Sequence, residues 1–123
     1  MEGNQFFKAK DYAKAIKTYK DTIDVLDLIN LETTRQNTTI INDLRVTTHQ
    51  NMAMSLNALE KYDEAVFHCE HAIIVNEKSA KAHFIKSQAF EKQQEYEKAL
   101  ISIKKAIVIS PNDRKLRDDL TRI

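Results

Sequence analysis

The sequence predicts an all-α fold, and two observations carry that prediction. The 123 residues contain one glycine and one proline, Gly3 and Pro111, so tight turns and β-hairpins are nearly excluded. Helix-forming residues, mainly Ala, Leu, Lys, Glu and Gln, dominate the remainder. The second observation is an internal repeat in which three segments align without gaps. A chain of this length suits one domain.

Each repeated segment has a tyrosine, an alanine three positions later, and a small residue followed by isoleucine at its end. The tyrosines are Tyr12, Tyr62 and Tyr96, the alanines are Ala15, Ala65 and Ala99, and the final pairs are Thr22-Ile23, Ala72-Ile73 and Ala106-Ile107. The second and third copies lie 34 residues apart, because 96 minus 62 is 34, and the first two lie 50 apart. The chain is therefore a series of similar helical units, with 16 extra residues between the first and second, since 50 minus 34 is 16.

Apolar residues at helical spacing predict the helices in order. They cover residues 2–9, 12–31, 38–59, 62–75, 79–91 and 96–109, and a last helix begins near Asn112. The stretch ETTRQNTT, residues 32–39, is rich in threonine and asparagine and suits a turn. Apolar residues continue at helical spacing on both sides of it, so two helices lengthened by about 12 Å each absorb the extra residues.

The 34-residue period, the alanines where two helices must approach closely, the aromatic at the helix junction and Pro111 after the third copy resemble the tetratricopeptide repeat. The resemblance implies three antiparallel helix pairs and the start of a C-terminal capping helix, stacked in a right-handed superhelix whose first helices line a concave groove. The expected single domain spans 1–123, with repeat 1 at about 1–32, the helical extension and turn at 27–45, repeat 2 at about 46–78, repeat 3 at about 79–111 and the capping helix from 112.

The long second and third helices look like the tetratricopeptide domain of the large immunophilins of FKBP and cyclophilin type, which are peptidyl-prolyl isomerases that serve as chaperone partners. The matching stretches are GNQFFKAKDYAKAIKTY, QNMAMSLNALEKYDEAVFHCEHAI and KAHFIKSQAFEKQQEYEKAL. This resemblance implies an interaction module that docks the acidic C-terminal tail of a ninety- or seventy-kilodalton heat-shock chaperone. Any isomerase activity would lie in a domain outside this chain. No catalytic motif is found in the sequence, and no cofactor is expected.

In such co-chaperones the groove holds the peptide's carboxylates through a clamp of two asparagines, two lysines and an arginine. Asn4 in GNQFF and Asn51 in QNMAMSL match the two asparagines. Lys81 in AKAHF matches the lysine of the third repeat. Lys8 is a further cation that we assign to the peptide-binding surface.

The clamp departs from the family pattern in two places. The matching position of the first-repeat lysine would fall before Met1. Ile85 stands where the arginine belongs, and Lys86, one place further on, is a point charge about 100° round the helix from it. Losing one charge-assisted contact costs about 1.5 to 3 kcal/mol, roughly tenfold to a hundredfold in affinity. The sequence therefore predicts a partial clamp, in which Lys86 can substitute for the arginine only by reaching across.

Four apolar side chains are expected to face or border the groove and to contact a peptide or a partner helix. They are Phe7, Met54, Phe84 and Ile85. One alternative is that the two phenylalanines pack between repeats, and another is that the three matched polar residues are ordinary solvated side chains. A second hypothesis for the function is a scaffold with a degenerate clamp, which binds another partner or associates with itself through its apolar groove.

The stretch FHCEH, residues 67–71, contains side-chain types that bind metals. His68 and His71 share a helix face, but the repeat alignment places Cys69 at a packing position. The alignment puts His71 on a polar face, so we expect the side chains to diverge and predict no metal site. His49 and His83 lie 34 residues apart, at equivalent places in two repeats. Both histidines are expected to be interfacial or partly buried.

The charge balance, 19 basic against 18 acidic residues, gives no field that would draw the domain to nucleic acid or to a membrane. No apolar run approaches the ~18 residues that a membrane span needs, and no signal-peptide pattern is present. One unpaired cysteine agrees with a reducing compartment. We therefore expect a domain of the cytoplasm or also of the nucleus, with no nucleic-acid or membrane partner.

Overall fold

The structure, a computed structural model, describes residues 2–29 and 35–123. This part of the chain contains seven α-helices and no strand, which confirms the all-α prediction. The helices are α1 (Glu2–Lys8), α2 (Tyr12–Ile29), α3 (Arg35–Ala58), α4 (Tyr62–Val75), α5 (Ala80–Lys92), α6 (Tyr96–Ile109) and α7 (Arg114–Arg122). Within the described ranges, none of these helices combines the length and the apolar character that crossing a membrane requires.

The ends of the later helices follow from their capping residues. Helix α5 begins one residue after the predicted start because Ser79 is its N-cap, with the side-chain hydroxyl accepting a hydrogen bond from the Ala82 backbone N–H at 3.2 Å. Helix α7 begins at Arg114, where the carboxylate of Asp113 accepts from the Lys115 backbone N–H at 3.0 Å. Both helices are therefore capped by the side chain of the residue that precedes them.

Helix α3 differs from the prediction at its N-terminal end. It begins at Arg35, so residues 35–39 are helical and the predicted start at residue 38 is wrong. Ile41 and Val46 of this helix are buried, and tertiary packing overrides the weak helix propensity of threonine and asparagine. The rest of the predicted turn and the predicted end of the second helix lie in residues 30–34, outside the described residues.

Each helix packs against its neighbours in chain order, with α1 on α2, α3 on α4 and α5 on α6, while α7 packs on α6. The repeated alanines, Ala15, Ala65 and Ala99, are fully buried, which lets the helices approach closely. Cys69 is also fully buried, which confirms its predicted packing role, and burial raises the pKa of its thiol to about 12. The core therefore follows the repeat pattern of the sequence.

The turn inside each of the three helix pairs contains one residue in the left-handed conformation. Lys10, Glu60 and Gln94 have φ values of 61°, 62° and 62°. At the second of these turns, the Glu60 N–H donates to the Asn57 carbonyl at 3.0 Å and the Lys61 N–H donates to the Leu56 carbonyl at 2.8 Å. This is the Schellman arrangement that ends a helix, formed here without glycine.

Candidate functional site

The two predicted asparagines lie within hydrogen-bond distance of each other, on α1 and α3. The Asn51 side-chain amide donates to Asn4 Oδ1 at 3.1 Å, and the Tyr19 hydroxyl donates to the same oxygen at 2.7 Å. Tyr19 is fully buried, and Asn4 is exposed. Both hydrogen bonds use the oxygen of Asn4, so they leave the amide nitrogen of this exposed side chain able to donate to a ligand.

Gly3 explains how the Tyr19 ring comes so close to α1. A Cβ atom at Gly3 would lie 2.5 Å from Cε1 of the Tyr19 ring. Glycine therefore gives the ring the space from which its hydroxyl reaches Asn4.

Lys8 and Phe7, the other two predicted residues on α1, lie in different environments. Lys8 is exposed and lies one turn after Asn4, so the two side chains share a helix face. Phe7 is half-buried and packs edge-on against Tyr12, with ring centroids 5.5 Å apart. Lys8 is thus available to a ligand, whereas Phe7 contributes to the junction between the first two helices.

Four of the predicted residues line one cavity of about 530 Å³ between α3, α5 and α7. Met54 brings α3 into the lining, and it lies one turn from Asn51 on the same helix. The cavity is therefore next to the asparagine pair. Its lining consists of Met54, Ala80, Lys81, Phe84, Ile85, Gln88, Ser110, Asp113, Lys115 and Leu116.

Ile85, at the position where the resemblance implies an arginine, lines the cavity but exposes very little of its surface. Its side chain is 1% exposed and belongs to the main hydrophobic core. The Asn57 side-chain amide donates to its carbonyl at 3.4 Å. Ile85 thus contributes an apolar wall and no charge.

Lys86, which the sequence predicts could replace the arginine only by reaching across, does not line this cavity. Its Nζ lies 3.7 Å from Oε1 of Glu70 on α4 and 5.8 Å from the centroid of the Phe90 ring. The helical rotation of about 100° from position 85 directs this side chain toward α4. In this arrangement its ammonium group faces Glu70 and not the cavity.

Lys115 on α7 also lines the cavity, although no repeat position in the sequence points to it. Its Nζ lies 5.0 Å from the centroid of the Phe84 ring, within the range of a cation–π contact. Leu116 and Leu120, four residues apart, mark the packed face of α7, and this spacing is the sequence signal that places Lys115 at its border. Two exposed lysines, Lys81 and Lys115, thus stand at a cavity with apolar walls.

The histidines of FHCEH lie on another surface, where their arrangement is only partly as predicted. Glu70 is exposed and Cys69 is buried, so those two side chains diverge. His68 and His71 instead both contact His49 of α3. The His49 and His68 Nδ1 atoms are 3.0 Å apart, and the His49 and His71 rings stack with centroids 5.2 Å apart. Among the described residues there is no group of three or more His, Cys, Asp or Glu side chains that could hold a metal ion.

Burial governs the protonation of these histidines. It lowers the pKa of His49 to about 4, with neighbouring His68 and His71 adding to the effect. It also lowers the pKa of His68 to about 4, again with His71 contributing. His83 is buried, in agreement with the prediction, and its Nε2 lies 3.2 Å from the Glu77 carbonyl oxygen. The pair His49 and His68 is therefore neutral at pH 7.

Residues 80–113 match the tetratricopeptide repeat. The chain is 28% identical over 98% of its length to peptidyl-prolyl cis-trans isomerase FKBP42 of Arabidopsis thaliana, of which it covers 33%. It is 26% identical over 92% of its length to FK506-binding protein 59 of Drosophila melanogaster, of which it covers 25%. The chain spans between 20% and 33% of the length of these and similar curated relatives.

Solved structures share the fold. The C-terminal tetratricopeptide domain of an FK506-binding protein of Plasmodium falciparum superimposes with a TM-score of 0.85 at 22% identity, over 98% of this chain and 80% of that one. The first such domain of Spaghetti (RPAP3), bound to the HSP90 peptide SRMEEVD, gives 0.81 at 23% identity, over 98% and 83%. The myosin chaperone UNC-45 of C. elegans, in complex with a Hsp90 peptide, gives 0.79 at 28% identity, over 98% of this chain and 12% of that one.

These findings define the fold of the chain. Residues 80–113 match the tetratricopeptide repeat, and the chain as a whole has the fold of tetratricopeptide-repeat domains. Its sequence is similar to segments of FKBP-type immunophilins, and its fold is similar to that of domains solved with an HSP90 peptide and with an HSP70 peptide.

Proposed function

We propose that this domain docks the free, acidic C-terminus of a heat-shock chaperone on the surface formed by the asparagine pair and the adjacent cavity. The observation that carries the proposal is the Asn4–Asn51 pair, held by the buried Tyr19 hydroxyl at two positions that match the family's clamp. Lys81 at the neighbouring cavity supplies a matched cation. The function is binding, and no reaction is assigned to this chain.

The chemistry of the surface suits such a peptide. A C-terminal aspartate carries two carboxylates, which accept hydrogen bonds from amide N–H groups and from ammonium groups. Asn4 offers the amide nitrogen of an exposed side chain, and the exposed Lys8 and Lys81 offer ammonium groups. The apolar walls of the cavity, including Met54 and Phe84, suit an apolar side chain further back in the peptide.

The folds of peptide-bound proteins support this proposal. Spaghetti (RPAP3) was solved with SRMEEVD and UNC-45 with a Hsp90 peptide, and both superimpose on nearly the whole of this chain. A chaperone partner of this kind would place the domain in the cytoplasm or the nucleus.

The proposal is tested by fluorescence anisotropy with labelled SRMEEVD and a scrambled peptide of the same composition. We expect saturable binding of SRMEEVD and no saturable binding of the scrambled peptide. Lys81→Ala should weaken it about tenfold or more, because it removes a charge-assisted contact. Lys92→Ala, on the same helix but away from the cavity, is the matched control and should bind as the unaltered protein does. Equal binding of the two peptides would overturn the proposal.

A second candidate is a scaffold that binds another partner, favoured by apolar residues on the outer surface of α4 and α6. Ile74 and Val108 are 81% and 80% exposed, and they occupy equivalent places 34 residues apart. Phe67 and Ile101, also equivalent and exposed, lie two turns before them. If this surface mediates self-association, sedimentation velocity will show a mass that rises with concentration and that Val108→Glu returns to the monomer. A monomer at all concentrations would exclude self-association.

A further inference from the structure

We infer that Lys115 on α7 supplies the cation that position 85 lacks, so that the capping helix completes the carboxylate clamp. The inference rests on the proposed function and assigns one side chain a role in it. Lys115 would bind a side-chain carboxylate of the acidic peptide together with Lys81.

The first step is that α5 presents only one cation at the cavity. Ile85 is buried and uncharged, and the ammonium group of Lys86 lies against Glu70 on α4. Lys81 is the only cationic side chain of α5 in the cavity lining. A second cation there must come from another helix.

The second step is the position of the Lys115 ammonium group over the ring of Phe84. Phe84 lies three residues after Lys81, so these two side chains are neighbours on one face of α5. Lys115 therefore brings its charge to the same face as Lys81, from the opposite wall of the cavity. Two like charges beside an apolar wall create a local positive potential that favours an anion.

The third step is that α7 is fixed in place, so that Lys115 is presented from an anchored helix. Leu116 is buried against Ile103 and Ala106. At the other end of the helix, the Arg122 guanidinium donates to the carboxylate of Glu91 on α5. The rigid support reduces the ordering cost of binding.

Asp113 is the one carboxylate in the cavity lining, and it opposes an anionic ligand. Its Oδ1 accepts the Lys115 backbone N–H at 3.0 Å and so caps α7. The lining thus contains two ammonium groups and one carboxylate. The remaining positive charge still favours an acidic peptide, and a lysine provides a point charge where an arginine would provide a bidentate fork.

The test compares Lys115→Met, which keeps an unbranched apolar stem, with Lys115→Arg, which keeps the charge. Arg117→Met is the control, because Arg117 is exposed on α7 and does not line the cavity. All are titrated with labelled SRMEEVD at low and high salt. We expect Lys115→Met to bind about tenfold more weakly and to lose part of the salt dependence, as removal of one charged contact predicts. Lys115→Arg and the control should bind as the unaltered protein does.

The outcomes separate this inference from the proposed function. If the unaltered protein binds the peptide and Lys115→Met binds it equally well, the role of Lys115 is overturned while the proposed function stands. If Lys115→Met and Arg117→Met weaken binding equally, the effect is one of overall charge and the specific role is again overturned. If the unaltered protein does not bind SRMEEVD, the proposed function itself fails.

Discussion

The Tyr19 hydroxyl donates to Asn4 Oδ1 at 2.7 Å, so a buried side chain of the second helix orients an exposed side chain of the first. The equivalent positions in the other two repeats are Cys69 and Ile103, and both are buried packing residues. Only the first repeat therefore has a hydroxyl group at this place. We interpret Tyr19 as a core residue that also positions the candidate site.

Tyr19→Phe should weaken peptide binding while leaving the fold intact. The change removes one hydrogen bond, with a net value of about 0.5 to 1.5 kcal/mol, and leaves the Asn4 oxygen held by Asn51 alone. We expect a loss of affinity for SRMEEVD of about twofold to tenfold. Tyr96→Phe, at a half-exposed tyrosine away from the asparagine pair, is the control. An unchanged affinity of Tyr19→Phe would show that the Asn4 orientation is unimportant.

Gly3→Ala should destabilise the protein even though alanine is the better helix former. Propensity alone predicts a gain of about 1 kcal/mol. The added Cβ, however, would lie 2.5 Å from a fully buried ring, so the ring or the helix must shift. Overpacking of this kind costs about 1 to 3 kcal/mol. Urea unfolding decides the sign, since a raised midpoint would mean that the Tyr19 ring adjusts at little cost.

Glu60→Gly should stabilise the protein by about 0.5 to 1 kcal/mol. Glu60 has a φ of 62°, which costs about 1 to 2 kcal/mol for a residue with a Cβ atom, and glycine removes most of that strain. The adjacent Lys61 has a φ of −98°, so Lys61→Gly should destabilise the protein through chain entropy alone. Urea unfolding of the two variants gives the comparison. Equal destabilisation by both would contradict the assigned turn geometry.

The stability of the domain should fall as the pH falls from 7 to 5. The pKa values of His49 and His68 are lowered from 6.5 to about 4, so the unfolded chain binds more protons in this window. Stability from such groups is fully present above the unfolded pKa and is lost as the pH decreases. At pH 5 the loss is about 2 kcal/mol for one of the pair.

The check is the free energy of unfolding measured at pH 7 and at pH 5. His68→Gln removes one titrating ring and relieves the other of its charged neighbour, so this variant should lose less stability over the same interval. His71→Gln, at an exposed position, is the comparison and should retain more of the pH dependence. A stability that does not change with pH would contradict the buried neutral pair.

The fold could be predicted from the sequence because equivalent residues in each repeat form equivalent helices. Tyr62 and Tyr96, aligned in the sequence, are the first residues of α4 and α6. The start of α3 was missed because tertiary packing extends a helix into a stretch whose own composition favours a turn.

The candidate site could be predicted only where a residue's role follows from its place in a repeat. Asn4 and Asn51 are such residues, and the structure brings them together. Lys86 and Lys115 are not, because the direction of a long side chain depends on neighbours distant in sequence, Glu70 for one and Phe84 for the other. The contact between His49 and His68 likewise depends on neighbours that are distant in sequence.

The most direct test of the central claim compares SRMEEVD with a free C-terminal carboxylate and the same peptide as a C-terminal amide. Amidation removes one negative charge and leaves every side chain unchanged. If the asparagine pair and the lysines hold the terminal carboxylate, the amide should bind about tenfold to a hundredfold more weakly in isothermal titration calorimetry. Equal affinities for the two peptides would contradict the account.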